Sequence, residues 1–471
     1  MYGPMFSVRC LVCGSISQMQ IESMRCTLCG GSVECVIDVE GLRSSRFTGP
    51  FSFWRYKTML PKVKNTLSLG EGGTPLHKAR RLAKQLGISN LYLKDETRNP
   101  TNSFRDRCAA LMVSHALDLG AKAIVCATNG NLGASLAAYS AKFGIPCHIL
   151  VPKNVDLGKL AQMIIYDATI EEYGEIVDDS LAKAEEIAKE TGWYQGSAEL
   201  NPLAIEALKT IAYEVYEQFG VPDWFIIPMG SGGTLYAIWK GFKELQAAGM
   251  VKETPRMVGV QAEGCSPIVN AYMQNTADPF LKAKPFTHAL AILVRNPSHG
   301  RAALKAIKES GGLATSVSDE EIIQAEQEIA RFEGLFSEPA SAATIAALNK
   351  LIKQSIVDSH SSVVCLITGS GLKATDILQA LTKKRKATLI GLEFSTKEKI
   401  LRILSEGDTY GYDLWKKLGR TMTRGAIYQH LNELSNKGLI SSYEVKGKKF
   451  FKITSRGRRV LAAIDELKIL I

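Results

Sequence analysis

Residues 224–235 read WFIIPMGSGGTL: an apolar run closed by Pro228, then Gly230-Ser231-Gly232-Gly233-Thr234, then the start of an amphipathic stretch. A run that is apolar on both faces and ends in a glycine-rich turn predicts a buried parallel strand feeding a helix. The backbone N–H groups freed at such a turn, aligned with the helix dipole, can hold a phosphate dianion. The same grammar repeats outward. Ala123–Ala127 precedes Thr128-Asn129-Gly130-Asn131 and a helix predicted over Leu132–Phe143; His148–Val151 and Val363–Ile367 are further buried runs. From about residue 46 to 390 the alternation predicts an α/β fold of parallel layers, with ligands bound beyond the carboxyl ends of the strands.

The chain has 471 residues, 46% of them hydrophobic, enough for two or three ordinary cores. No stretch approaches the ~20 apolar residues of a membrane helix. The N-terminus runs into cysteines without a signal-peptide core, so a cytoplasmic protein without a membrane partner is expected. Of the formal net charge of +10, residues 396–471 hold +8, from 16 Lys and Arg against 8 Asp and Glu. That end reads as a separate functional unit. The run Lys383-Lys384-Arg385-Lys386 before it reads as a solvated linker or as a phosphate contact.

Cys10, Cys13, Cys26 and Cys29 form two CxxC pairs with twelve residues between them, followed by Gly14 and Gly30. Each CxxC turn aims two thiolates at one centre, so residues 1–45 are predicted to form a zinc ribbon in which the metal replaces a core too small to form. Cys35 reads as a small buried or free thiol.

Six pieces in order carry a family resemblance: GEGGTPL (Gly70–Leu76), LYLKDETRNPTNSFRDR (Leu91–Arg107), ATNGNLGAS (Ala127–Ser135), PMGSGGTL (Pro228–Leu235), EPASAAT (Glu338–Thr344) and ITGSGLK (Ile367–Lys373). With the ribbon, they make the chain resemble fold type II pyridoxal-phosphate enzymes, tryptophan synthase beta-like in fold, and most closely threonine synthases. The resemblance implies a two-domain core over 46–390, with a smaller subdomain at about 96–215. It implies a phosphate cup at Gly230, Ser231, Gly232, Gly233 and Thr234, and Asn131 on the cofactor's phenolic oxygen. It also implies Thr368 near the pyridine nitrogen, and Thr128, Asn129 and Gly130 around a substrate carboxylate. Asn129 stands where the family usually has Ser or Thr. The departure with most chemical consequence is Arg105, in NPTNSFRDR where the family reads close to NPTGSFKDR with the lysine that bonds the cofactor. A guanidinium stays protonated and cannot form that bond, so pyridoxal phosphate is expected to bind non-covalently. Lys94 belongs to the family pattern in addition to that lysine and is no substitute. Asp95 and Glu96 read as a charged strand end, and Arg295-Asn296-Pro297 as either a pocket loop or a surface loop.

After Phe394 the pattern predicts three helices, around Lys399–Leu404, Tyr412–Leu418 and Arg424–Leu434. Two strands follow, Leu439–Tyr443 and Lys449–Ile453, about the turn Lys446-Gly447-Lys448. This α+β winged helix over 396–471 resembles PadR-type regulators. Ile427, Leu431 and Leu434 fall on a core face. Thr423, Arg424, Tyr428, Gln429 and Asn432 are left for a DNA groove, and Lys446, Lys448 and Lys449 for phosphates. Val460, Ile464, Leu467 and Ile471 form a terminal apolar stripe that predicts a homodimer. Three functions remain open on the sequence. The first is a DNA-binding regulator that senses an amino acid or a phosphorylated amino-acid precursor. The second is an active threonine synthase, converting O-phosphohomoserine to threonine and phosphate, or a related lyase. The third is a DNA-linked scaffold with an empty pocket.

Overall fold

The computed structural model describes residues 6–19, 24–37, 47–281, 283–374, 396–419, 422–445 and 447–469, the last seven by backbone alone. The run Lys383–Lys386, Lys446 and the stripe residue Ile471 lie outside what is described, as do the side chains of the stripe residues Ile464 and Leu467. The chain divides into two compact units, Met1–Asp376 and Ile377–Ile471. No helix among the described residues is long and apolar enough to cross a membrane.

The first unit is built on two sheets. The larger orders its strands Leu313–Val317, Arg256–Ala262, Trp224–Pro228, Ser362–Ile367, Asn90–Asp95 and Leu76–Lys78. All neighbouring pairs are parallel except at the edge, where Leu76–Lys78 runs antiparallel to Asn90–Asp95. Its central strands are inaccessible to water, as the double-faced apolar runs require: Phe225, Ile226, Ile227 and the whole of Val363–Ile367 are 0% exposed. The smaller sheet, all parallel, orders Thr169–Glu172, Cys147–Val151, Ile124–Ala127 and Tyr194–Gln195. Helices pack on these layers, and the strand-to-helix turns that carry the predicted site residues stand at the strands' carboxyl ends. The ribbon is an antiparallel sheet of Ile16–Gln18, Ser7–Cys10 and Val33–Cys35. Tyr236 donates to Glu34 across 2.9 Å, Arg25 pairs with Glu185 at 3.2 Å, and the Ser32 hydroxyl donates to the Ser298 carbonyl at 3.1 Å, fastening the ribbon to this unit.

Glu96, at the charged strand end, is buried. It lies at 0% exposure in a buried charged cluster with Lys94, Arg107 and Glu214. Arg107 reaches Glu96 at 2.8 Å and Glu214 at 2.6 Å, while Lys94 Nζ meets Glu214 at 2.6 Å and the Thr74 carbonyl at 2.7 Å. Asp95 is equally buried: it accepts from the backbone N–H of Thr97 at 3.0 Å and pairs with Arg98. Burial works against ionisation of Glu214, but Arg107 and Lys94 more than offset it and hold the carboxyl well below the usual range. The charged strand end read from the sequence is thus a buried one, to which the fold brings Glu214 from the helix Thr210–Gln218.

In the second unit, helices over 396–406, Gly411–Lys417 and Arg424–Asn436 precede the strands Ile440–Val445 and Lys448–Ile453. A short strand Thr409–Tyr410 adds a third member, in the order Thr409–Tyr410, Lys448–Ile453, Ile440–Val445. Ile427, Leu431 and Leu434 are buried with Ile400, Leu404, Leu414, Phe451 and Ile453. In the final helix, Ser455–Ile469, Leu461 joins that core.

The buried cluster generates a prediction. Glu214→Ala leaves two cations without their shared anion and should destabilise the first unit by about 3–5 kcal/mol in urea denaturation. Because the folded-state pKa of Glu214 is depressed, its contribution is present above the unfolded-state pKa of a glutamate, ~4.3, and is lost as pH falls further. The wild-type and variant stabilities should therefore converge in acid.

Candidate cofactor and effector site

The turn after Trp224–Pro228 leads into the helix Gly233–Ala247, with Gly232 as N-cap at φ +89°. A Cβ at Gly232 would lie 3.0 Å from the His299 carbonyl oxygen, so glycine is required both for the conformation and for the close approach. Gly230, Ser231, Gly232 and Thr234, at the N-terminus of a fifteen-residue helix, thus line a cavity. Around it stand Arg105, Thr128, Asn129, Asn131, Glu199, Gly230, Ser231, Gly232, Thr234, Glu338 and Thr368. Gly233 faces an adjoining cleft that Arg105, Ser231 and His299 also line.

Asn131 opens the helix Asn131–Phe143 and is 6% exposed. Its Nδ2 donates to Glu338 Oε2 at 2.9 Å, while its Oδ1 is buried without a protein partner. Such an orphaned acceptor on a cavity wall calls for a ligand or water donor. Thr368 lies within 2.9 Å of Glu338 Oε1 and 2.8 Å of Ser341 Oγ. Ser341 Oγ already accepts from the N–H of Thr368 and of Gly369, which leaves its own proton for Thr368 and the Thr368 proton for Glu338. Thr368 therefore presents an acceptor to the cavity. Thr128 Oγ1 accepts from the Gly130 N–H at 3.0 Å, and Asn129 Nδ2 donates to the Leu293 carbonyl at 3.3 Å. Gly130, at φ +117°, lies directly over the Lys159 side chain and does not itself line the cavity.

Arg105 is the first residue of the helix Arg105–Asp118, and its guanidinium lies 4.7 Å from the Phe104 ring centre. Glu199 reaches the same spot from the loop after Tyr194–Gln195. Burial pushes its carboxyl up; Arg105 and the Ser231 hydroxyl pull in the other direction without cancelling the effect. His299 is buried near Arg105 and Arg25 and is lowered to about 4, so it is neutral at neutral pH. No lysine lines the cavity among the described residues. Lys94 belongs to the buried cluster. Lys159 is held by Asp156 at 2.6 Å, with Glu338 at 3.7 Å. Lys373 donates to the Thr101 carbonyl at 2.7 Å, and burial lowers it to about 8. Arg295 packs on Phe280 and donates to the Leu281 carbonyl.

The pyridoxal-phosphate-dependent enzyme family matches residues 67–369. The chain belongs to that family. Threonine synthase of Methanocaldococcus jannaschii is 40% identical over 406 residues, covering 84% of this chain and 99% of that protein. The Mycobacterium bovis threonine synthase is 41% identical over 312 residues, 66% of this chain and 84% of its own length. In fold, the first unit is similar to a fungal L-serine ammonia-lyase from Rhizomucor miehei (TM-score 0.57, 21% identity, 66% of this chain and 98% of that one). Maize serine racemase is comparable at TM-score 0.56, with 20% identity, 67% of this chain and 93% of that one. A second family, the PadR-like transcriptional regulators, matches residues 400–463. For this pyridoxal-phosphate-family chain the residues fit the cofactor's phosphate and ring, with a glycine cradle, an orphaned Asn131 acceptor and a Thr368 acceptor. The group offered at position 105 is a guanidinium. Sequence reading missed Glu199 and Glu338. Glu338 stood inside a quoted motif, whereas Glu199 belonged to none.

In the second unit Thr423, Arg424, Tyr428, Gln429 and Asn432 are exposed on or beside the third helix, as are Lys448 and Lys449 on the wing. Thr423 Oγ1 caps the helix by accepting from the Ala426 N–H. The Arg424 guanidinium rests 4.9 Å from the Tyr412 ring and 5.0 Å from the Trp415 ring. That aromatic shelf limits its freedom before any contact is made.

Cys10, Cys13, Cys26 and Cys29 place their sulfurs within 4.8 Å of one another, with Cys10–Cys29 at 3.5 Å and Cys13–Cys26 at 3.7 Å. A tetrahedral ion with ~2.3 Å thiolate bonds requires sulfur pairs ~3.8 Å apart, so the set fits such an ion. Cys35 is buried and free, apart from the four. Elemental analysis of protein purified without chelators should give about one zinc per chain, and Cys10→Ser with Cys26→Ser should abolish it. A metal content unchanged by the double substitution would contradict the assignment.

Proposed function

We propose that the chain is a ligand-sensing, DNA-binding transcriptional regulator on a threonine-synthase-like scaffold, with Arg105 in the place of the cofactor-bonding lysine. The observation that carries this reading is Arg105 on the cavity wall of a chain that also holds a PadR-like unit. Pyridoxal phosphate, when bound, supplies an electron sink for a carbanion beside a nitrogen-bearing carbon. In this reading Gly230, Ser231, Gly232, Gly233 and Thr234 receive a phosphate, while Asn131 and Thr368 flank a ring. Thr128 and Asn129 lie toward the carboxylate of an amino acid or a phosphorylated precursor, and Gly130 supplies the turn that follows them. Arg105 offers a fixed charge and five donors but no free amine, so the cofactor is held reversibly.

The remaining parts follow the same reading. Residues 1–45 form a zinc ribbon, 46–390 the effector-binding core and 396–471 the DNA-binding domain. Thr423, Arg424, Tyr428 and Gln429 enter a major groove, and Lys446, Lys448 and Lys449 meet phosphates. A cytoplasmic homodimer presents two such helices to paired half-sites.

A second reading, an active threonine synthase acting on O-phosphohomoserine, draws support from relatives about 40% identical and from Lys373, whose amine is partly neutral near pH 8. The two readings differ at position 105. Under the regulator reading, dialysis frees wild-type protein of added pyridoxal phosphate. Arg105→Lys then retains the cofactor through dialysis with a visible absorbance band. Wild-type protein that retains it and releases phosphate from O-phosphohomoserine contradicts the regulator reading.

DNA binding supplies a separate check on the full chain. Affinity should fall steeply with salt as wing lysines displace counterions. Arg424→Ala should cost on the order of 1–3 kcal/mol at a specific site, whereas Lys448→Ala should weaken all sequences alike. Equal loss from both variants on specific and non-specific DNA would assign the winged helix to assembly instead.

A further inference from the structure

Asn131, Glu338 and Thr368 form one hydrogen-bonded wall of the cavity, and its donors are turned onto Glu338. Glu338 Oε2 accepts from Asn131 Nδ2 at 2.9 Å, and Oε1 accepts from the Thr368 hydroxyl at 2.9 Å. A carboxylate has no proton to return, so this contact fixes which way the Asn131 amide is turned. The acceptor that remains, Asn131 Oδ1, is buried without a protein partner. Thr368, its proton committed to Glu338, keeps acceptor capacity only. Glu338 is 1% exposed, and a Cβ at Gly369 would stand 3.0 Å from its carboxyl, so the group has no room to withdraw on that side. Lys159 lies 3.7 Å from Glu338 but is held by Asp156 at 2.6 Å and does not line the cavity. The wall therefore presents acceptor atoms beside a carboxylate.

The donors suited to a phosphate are grouped apart from it. Arg105, Ser231 and Thr234 also border the adjoining cleft, which Asn131, Glu338 and Thr368 do not. We propose that the site takes the aminated form of the cofactor, pyridoxamine 5′-phosphate, in preference to the aldehyde. This inference rests on the reversible binding proposed above and names the form that is bound. The two molecules share a phosphate, a ring and a phenolic oxygen, and differ in one group: a protonated amine, which only donates, or a carbonyl, which only accepts. Against this wall the amine forms a charge-assisted hydrogen bond. The carbonyl leaves Asn131 Oδ1 unpaired and brings its own lone pairs to a carboxylate. Arg105 cannot restore the balance for the aldehyde, because a guanidinium forms no bond to it. A second carboxyl on the cavity, Glu199, comes from the loop after Tyr194–Gln195 and is no part of this hydrogen-bonded set. Asp178 accepts from the Asn296 N–H at 2.9 Å and does not line the cavity.

Binding of pyridoxamine 5′-phosphate to the full chain is followed by its fluorescence anisotropy in amine-free buffer. Pyridoxal 5′-phosphate is measured by displacement, so that aldehyde adducts on surface lysines are not counted. The aminated form should bind the wild type about tenfold tighter or more, the range of a hydrogen bond to a charged group. That comparison needs no variant. Glu338→Gln removes the carboxylate, and its amide N–H can pair with Asn131 Oδ1, which turns the Nδ2 donor toward the cavity; the preference should fall to near parity or reverse. Glu199→Gln should keep it. Equal reversible affinity for the two forms, or tighter reversible binding of the aldehyde, overturns the inference and leaves reversible binding in place. A preference that survives Glu338→Gln, or is lost in Glu199→Gln, overturns the assignment to this wall. An aldehyde complex that dilution does not reverse and borohydride fixes on a lysine overturns the reading beneath it. Failure of both forms to bind overturns the phosphate cup as well.

Discussion

The buried pairing of Arg107 with Glu96 and Glu214 sets the position of everything at the site. Arg107 lies two residues after Arg105 on the same helix, and its fork closes on carboxylates from the strand end at Asp95 and from the helix Thr210–Gln218. Lys94 and Thr74 complete the cluster, so the glycine-rich segment Gly70–Leu76 is anchored to it as well. Charges removed from water in this way are tolerated only when each is matched. That requirement fixes the first turn of the Arg105–Asp118 helix, and with it the direction from which residue 105 reaches the cavity.

On that support, residue 105 presents a guanidinium to the cavity. A guanidinium cannot bond an aldehyde, but it is well suited to a tetrahedral anion. The neighbouring groups accord with an altered role. Glu199 lines the same cavity, and Asn131 donates to Glu338 on its wall. Any coupling to the PadR-like unit requires two states whose balance a ligand biases; a ligand that binds both states equally shifts nothing.

Local chemistry was readable from sequence. The CxxC pairs, the strand–glycine–helix turn at Trp224–Thr234 and the core face of Ile427, Leu431 and Leu434 depend on near neighbours, and the structure shows the four sulfurs, the turn and the buried face accordingly. Distant pairings were not readable. Asp95 and Glu96 read only as a charged strand end, because Glu214, which shares Arg107 with Glu96, is brought there only by folding. Glu199 sits between Ala198 and Leu200 in no recognisable motif, and it becomes a site residue because Tyr194–Gln195 is the edge strand that delivers its loop to the cavity. The short strand Thr409–Tyr410 was invisible for a related reason, since two residues carry no period. Leu461 is buried beside a stripe read one residue away, at Val460.

The central claim is that the pocket accepts the cofactor without bonding to it. Intact-mass measurement of wild-type protein mixed with pyridoxal phosphate and then treated with borohydride tests this most directly. The account predicts that the mass of the chain is unchanged. Stoichiometric addition of one reduced pyridoxyl phosphate, mapped to a single lysine such as Lys373 or Lys159, would contradict it and return the chain to the enzymes.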